Sequence, residues 1–170
     1  SSPSRARRAG ITIIEQELSP IPAMTVAENI YLGREPLAMF GRIDFATMNR
    51  NAQELLDSLE FDIAPTTMMM DLTVAEIQLV EIAKGIDQDA RVLILDEPTS
   101  SLTSKETSRL FELVHQLRAN GITVLYVSHR LTEILELADR AFVLRDGQNA
   151  GHLTRDQLTR EAMVRLMVGR

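Results

Sequence analysis

The sequence predicts an α/β protein: helices flanking a parallel sheet, with a purely helical subdomain inserted near the start. Three observations carry this. Short, uninterrupted apolar runs occur at 92–95 (VLIL) and 122–127 (ITVLYV), as expected for strands buried on both faces of a parallel sheet. From 91 to 144 such runs alternate with helical patterns, which implies right-handed βαβ units. Residues 25–86, by contrast, carry helical patterns only. The expected division is a sheet-bearing core made of 1–24 and 87–170, interrupted by a helical subdomain at 25–86.

Composition narrows the class. A chain of 170 residues has room for one domain with a subdomain and can bury a real core. Its 45% hydrophobic and 25% charged content is ordinary for a globular protein. A net charge of −6 argues against a general nucleic-acid binder. The chain has no cysteine, which rules out disulfides and thiolate metal sites and fits a reducing compartment. No run approaches the roughly 18 apolar residues of a membrane span. The opening SSPSRARRAG lacks the apolar centre of a secretory signal. A membrane would act on this chain through a partner.

The elements follow in order. Residues 1–10 are small, polar and basic and read as a loosely held lead-in. Ile11-Thr12-Ile13-Ile14 reads as a short strand ended by Glu15-Gln16-Glu17, and Pro20 and Pro22 mark a loop. Thr25 with Glu28 forms a capping box opening a helix to about Gly33. Asp44 can cap a second helix, on which Phe45, Met48, Ala52, Leu55, Leu56 and Leu59 recur at helical spacing. Met68, Met69 and Met70 read as packing filler. Thr73 with Glu76 is a second capping box, starting a helix to about Ile86.

Beyond the strand at 92–95, Thr103 with Glu106 makes a third box. Its helix points Leu110, Phe111, Val114 and Leu117 inward and ends near Gly121. The strand at 122–127 leads into Ser128-His129 and a short helix bearing Leu131, Ile134, Leu135 and Ala138. A third core strand is expected at 141–144. Asp146-Gly147 then signals a hairpin returning through about Leu153, and 154–168 reads as a closing amphipathic helix.

The stretch RVLILDEPTSSLT, residues 91–103, organises the chemistry. Its strand delivers Asp96 and Glu97 at the carboxyl end, where open α/β sheets place ligands, and Pro98 stops the ladder. Two adjacent carboxylates there suit metal-assisted phosphate chemistry, one holding Mg²⁺ and the other orienting water. Taken alone, the same residues also fit a strand that ends in a solvated acidic turn.

The order IIEQE, LTVAEIQLVEIAKGI, LILDEPTSSLT and YVSHR resembles the ATP-binding-cassette ATPases. There the corresponding segments are the Q-loop, the signature, Walker B with the D-loop, and the switch histidine. The resemblance runs from about residue 10 to the end, and each motif alone is weaker than the four in order. TVAENIYLGRE, VEIAKGI, SHRLTEI, RDGQ and MVGR are similar to the N-terminal cassette of the duplicated sugar-importer ATPases of the ribose, galactose and xylose type.

The resemblance implies a partial P-loop NTPase (RecA-like) core that uses ATP and Mg²⁺. Gln16 would reach Mg²⁺ and the attacking water, Asp96 would hold Mg²⁺ through water, and Glu97 would act as the base or polarise the water. His129 would contact the γ-phosphate, and Ser101 and Leu102 would fall on the D-loop at a dimer interface. Thr73, Val74, Ala75 and Glu76 would form the signature that meets a partner's γ-phosphate. His115 and His152 lie outside every motif and read as ordinary surface or half-buried residues.

The implied partners are transmembrane permease subunits and a second cassette in a head-to-tail dimer. A cytoplasmic helix of the permease would enter the groove between the Q-loop and the helices of 25–86. Nucleic acid is not among the expected partners. The implied location is cytoplasmic, peripheral on the inner face of the plasma membrane.

Two departures qualify the resemblance. The signature reads Leu72-Thr73-Val74-Ala75-Glu76, where the family has Leu-Ser-Gly-Gly-Gln or Leu-Ser-any-Gly. Ala75 places a Cβ where the family brings bare backbone to a phosphate, an expected penalty for hydrolysis. In addition, no G-x-x-x-x-G-K-[ST] phosphate loop occurs in these residues. The expectation is therefore a fragment, the rear portion of a cassette, that alone binds ATP weakly or not at all. Two alternatives stand beside transport. One is a regulatory or interaction module that no longer hydrolyses ATP; the other is a non-transport cassette acting on DNA or ribosomes.

Overall fold

The computed structural model describes residues 3–16 and 18–169. It divides into two compact units, 1–125 and 126–170, with the boundary inside a strand.

The first unit opens with a helix rather than a loose lead-in. Helix α1 spans Pro3–Arg8; residues 1 and 2 lie outside the described residues. Proline at the first helical position loses no hydrogen bond, and Arg5, Arg7 and Arg8 in the last turn suit the negative end of the helix dipole. Gly10, with φ +77°, ends the helix in the left-handed conformation that glycine tolerates best. Its carbonyl accepts from Arg91 N at 2.8 Å and Val92 N at 2.9 Å, joining this turn to the next strand.

Strand β1, Ile11–Ile14, pairs in parallel with β2, Val92–Asp96, in the register Ile11 to Val92 and Ile14 to Leu95. Strand β3, Thr123–Val127, completes a three-stranded sheet in the order β1-β2-β3. The expectation of strands buried on both faces is corrected. In β2 only Leu93 and Leu95 are buried, while in β3 Leu125 and Val127 are exposed. The apolar runs alternate after all, because the described residues cover one face of the sheet more fully than the other. On the covered face lies helix α4, Val74–Asp87. A Cβ added at Gly85 would stand 3.0 Å from Thr12 Cγ2 and 3.4 Å from Leu93 Cδ1, so this glycine lets helix and sheet approach closely.

Between the strands, α2 (Val26–Tyr31) and α3 (Phe45–Ser58) start where their caps predict. Thr25 and Glu28 close a complete capping box, and Asp44 accepts from Thr47 N at 3.0 Å. Val26, Ile30, Met48, Ala52, Leu56, Val80 and Ile82 form the buried core of this region. Among the three methionines only Met69, 1% exposed, is core filler; Met70 is 62% exposed. Phe45, expected on the apolar face of α3, is exposed. Asn29 is buried, and its amide accepts from Ile21 N at 2.8 Å and donates to Ile21 O at 3.1 Å and Thr25 O at 3.0 Å. Tyr31 donates to Asp87 Oδ1 at 3.0 Å, and Arg34 pairs with the other oxygen at 2.8 Å. Burial first, and then the Asp87 charge, push the Tyr31 phenol up to about 12. Helix α5, Ser104–Ala119, opens on the Thr103–Glu106 box and buries Leu110, Phe111, Leu113, Val114 and Leu117.

The second unit holds α6 (Leu131–Leu137), β4 (Arg140–Arg145), β5 (Gln148–Thr154) and α7 (Arg160–Val168). Among the described residues the expected third core strand, β4, pairs antiparallel with β5 and not with the larger sheet. Phe142 and Leu144 are accordingly 62% and 73% exposed, while Val143 and Leu153 are buried on the other side of the hairpin. The Asp146-Gly147 signal holds, with φ of +52° and +73°, as a type I′ turn requires. The closing helix is shorter than expected. A 3₁₀ turn at Arg155–Gln157 comes first, and Thr159 caps α7 by accepting from Ala162 N at 3.1 Å.

Candidate functional site

Within the first unit a cleft of about 250 Å³ opens at the carboxyl ends of β1 and β2. Its walls are the segment after β1 (Glu15, Gln16, Leu18, Pro20), the start of α4 (Val74, Ile77, Gln78) and the turn after β2 (Glu97, Pro98, Ser100, Ser101). Of the residues singled out from sequence, Gln16, Glu97, Ser101 and Val74 therefore share one cleft.

The local chain explains each position. Gln16 stands two residues past the end of β1, where the ladder stops and the side chain is exposed. Glu97 follows the last residue of β2 with φ +45°, a left-handed conformation that costs a non-glycine residue about 1–2 kcal/mol. The turn closes when Ser100 N donates to Glu97 O at 3.2 Å, and buried Pro98 and Thr99 anchor it. Asp96 ends β2 half-buried and is not part of the cleft wall.

At the start of α4, Glu76 is committed to capping. Its Oε2 accepts from Thr73 N and Thr73 Oγ1, both at 2.8 Å. Thr73, Ala75 and Glu76 do not line the cleft, and Val74 faces it instead. Gln78 is the residue that motif reading missed. It lies four positions after Val74, hence on the same helix face, and it is buried beside the cleft. That spacing was the available signal, hidden because 77–86 reads as a mainly apolar helix.

The cleft walls carry two carboxylates, Glu15 and Glu97, and two amides, Gln16 and Gln78, with no cationic side chain among the described residues. Such a wall attracts a cation, not a bare phosphate. No group of three or more His, Asp or Glu among the described residues is arranged to hold a metal alone. Magnesium fits this donor set, because it keeps several waters and takes one or two carboxylates alongside substrate phosphates. Of the two oxygen donors that the sequence suggested for it, Gln16 lines the cleft, and Asp96 ends the strand beside it without lining the wall.

His129 belongs to the second unit. It is exposed in the turn between β3 and α6. Its neighbour Ser128 donates to Glu133 Oε2 at 2.8 Å and accepts from Arg130 N at 3.0 Å.

Comparison with known proteins assigns the family. Residues 2–100 match the family described as ABC transporter. The chain belongs to that family. It is 50% identical over 99% of its length to the ribose import ATP-binding protein RbsA 2 of Burkholderia pseudomallei (strain 1710b). It spans about a third of that relative's length (33%).

Among solved structures, it resembles an ATP-binding cassette of an ABC transporter in its ADP conformation. That match has a TM-score of 0.78 and 21% identity, covering 100% of this chain and 72% of the other. A second is a dimeric ATP-binding cassette in a post-hydrolysis state bound to ADP and Pi. Its TM-score is 0.72 at 24% identity, covering 89% of this chain and 66% of that one. These likenesses establish the ABC ATPase fold, a partial P-loop NTPase architecture, for this family member. Among its described residues no helix is long and apolar enough to cross a membrane.

Proposed function

We propose that this chain is part of the ATP-hydrolysing subunit that energises carbohydrate import by an ABC transporter, with residues 25–86 as the helical subdomain inserted in its core. The observation that carries the reading is the single cleft shared by Gln16, Glu97, Ser101 and Val74. Half-identity to a ribose import ATP-binding protein supports the substrate class.

In this reading Glu97 takes the proton of the attacking water, and Gln16 orients that water and contributes an oxygen to the metal with Asp96. Mg²⁺, when bound, supplies charge neutralisation on the transferring phosphoryl group. His129 donates a hydrogen bond to the γ-phosphate. Thr73, Val74, Ala75 and Glu76 present the amino end of α4 to nucleotide held by a second cassette, since the helix dipole and the N–H groups outside the Thr73–Glu76 box favour an anion there. Ser101 lies at that dimer interface. The partners are a second cassette, head to tail, and transmembrane permease subunits that bring the protein to the cytoplasmic face of the membrane.

The 170 residues contain no Walker-type phosphate loop, so the chain alone binds Mg-ATP more weakly than micromolar. Ala75 favours a second reading, a module that no longer hydrolyses ATP, because its Cβ intrudes on the backbone approach. One assay separates the two. The full-length protein should hydrolyse Mg-ATP, and Glu97→Gln should lower kcat by about a hundredfold or more while still allowing the nucleotide-bound dimer. Absence of turnover in the full-length protein with its permease would decide for the second reading.

A further inference from the structure

We propose that Glu133 is a positioning residue for His129, holding the turn that carries the imidazole from both sides. The inference rests on the reading above, in which His129 contacts the γ-phosphate. Glu133 is 3% exposed, and a carboxylate so buried is costly unless donors surround it. The donors here are specific. Tyr126 Oη donates to Glu133 Oε2 at 3.0 Å and Ser128 Oγ to the same oxygen at 2.8 Å. The Arg130 guanidinium stands 3.5 Å from Oε1. These three partners sit three positions before, one before and one after His129.

The geometry follows from the chain. Tyr126 and Ser128 are two residues apart at the end of a strand, so they face the same side and one carboxylate reaches both. A serine hydroxyl has one proton. With that proton given to Glu133, only lone pairs remain for Arg130 N, which donates to Ser128 Oγ at 3.0 Å. The Ser128–Arg130 link is a side-chain turn closed around His129. Glu133 thus sets the direction of the Ser128 hydroxyl, the hydroxyl sets the turn, and the turn sets the origin of the imidazole. The plainer role, an acid in the first turn of α6, would favour the helix without reference to His129.

The test is a mutant cycle in the full-length protein, with kcat and KM for ATP measured on wild type, Glu133→Ala, Glu133→Gln, His129→Ala and the paired variants. We expect Glu133→Ala to lower kcat about tenfold to thirtyfold with KM within about twofold, as for a displaced group that still binds. Glu133→Gln should lose about threefold to tenfold, because its oxygen still accepts while its NH₂ opposes the Arg130 guanidinium. On the His129→Ala background either change should cost less than about twofold. Equal losses with and without His129 overturn the proposal and leave the reading of His129 intact. An unchanged kcat in His129→Ala overturns that reading itself. Should Glu133→Ala fail to fold, the glutamine cycle decides alone.

Discussion

The turns that follow β2 and β3 deliver their polar side chains by different means. After β2 the main chain does the work: Glu97 is held at φ +45°, and buried Pro98 and Thr99 fix the turn behind it. After β3 the work falls to side chains, as Glu133 gathers Tyr126, Ser128 and Arg130 around His129. A main-chain device resists substitution of its neighbours but stores strain in one residue. A side-chain device is unstrained, yet it fails when one buried partner is removed. The two turns should therefore respond to mutation in opposite ways.

The largest expected effect tests the strained turn. Glycine accepts the left-handed conformation freely, so Glu97→Gly relieves about 1–2 kcal/mol of strain. Its extra unfolded-state entropy returns roughly 0.5–1 kcal/mol of that. Activity and stability should therefore part company. The full-length variant should lose about a hundredfold in kcat with an unchanged or slightly raised unfolding midpoint. A midpoint that falls by several degrees would show that the left-handed residue stores no strain.

The next effect concerns a side-chain network away from both turns. Tyr31 is held protonated up to about pH 12 by burial and by the Asp87 charge. The unfolded phenol titrates near pH 10. Its contribution is therefore complete below about pH 10 and is lost as pH rises towards 12, because the unfolded chain releases its proton first. Base denaturation of wild type against Tyr31→Phe should differ in slope across this window, by a total of the order of 1–2 kcal/mol. Parallel curves would remove Tyr31 as the cause.

The smallest effect sharpens the contrast. Thr103 caps α5 just beyond the β2 turn, accepting from Glu106 N at 3.4 Å. Thr103→Ala should cost about 1 kcal/mol in denaturant unfolding. It should leave kcat of the full-length protein within about twofold, because the main chain holds Glu97. A tenfold fall would mean that the turn depends on the side chains around it after all.

Much of this was legible in the residues themselves, wherever the physics is local. The boxes at Thr25, Thr73 and Thr103 all close as the spacing requires, and Asp146-Gly147 turns its hairpin. Gln16, Glu97 and Ser101 were identifiable as site candidates, and one cleft gathers them. What escaped was non-local. An apolar run such as 122–127 cannot reveal which face will be covered, so the exposure of Leu125 was invisible. The run at 141–144 looked like its predecessors, and nothing within it reveals that it pairs with its hairpin partner and not with the larger sheet. Glu133 carried no signal in the sequence, because burial of a carboxylate depends on donors elsewhere in the chain. Helix α1 was missed because it is short, polar and basic and has no apolar periodicity, although Ser2-Pro3 is a favourable helix start in sequence.

Asn29 carries a consequence of its own. By holding both the N–H and the C=O of Ile21, its amide plays the part of a neighbouring strand for one residue of the loop beyond Gln16. That residue has exchanged loop behaviour for helix behaviour. Its amide proton should therefore exchange with solvent only when α2 frays or shifts enough to withdraw Asn29. A displacement of α2 along its axis therefore reaches Ile21 as a pull on the backbone, much as a crank moves the rod pinned to it.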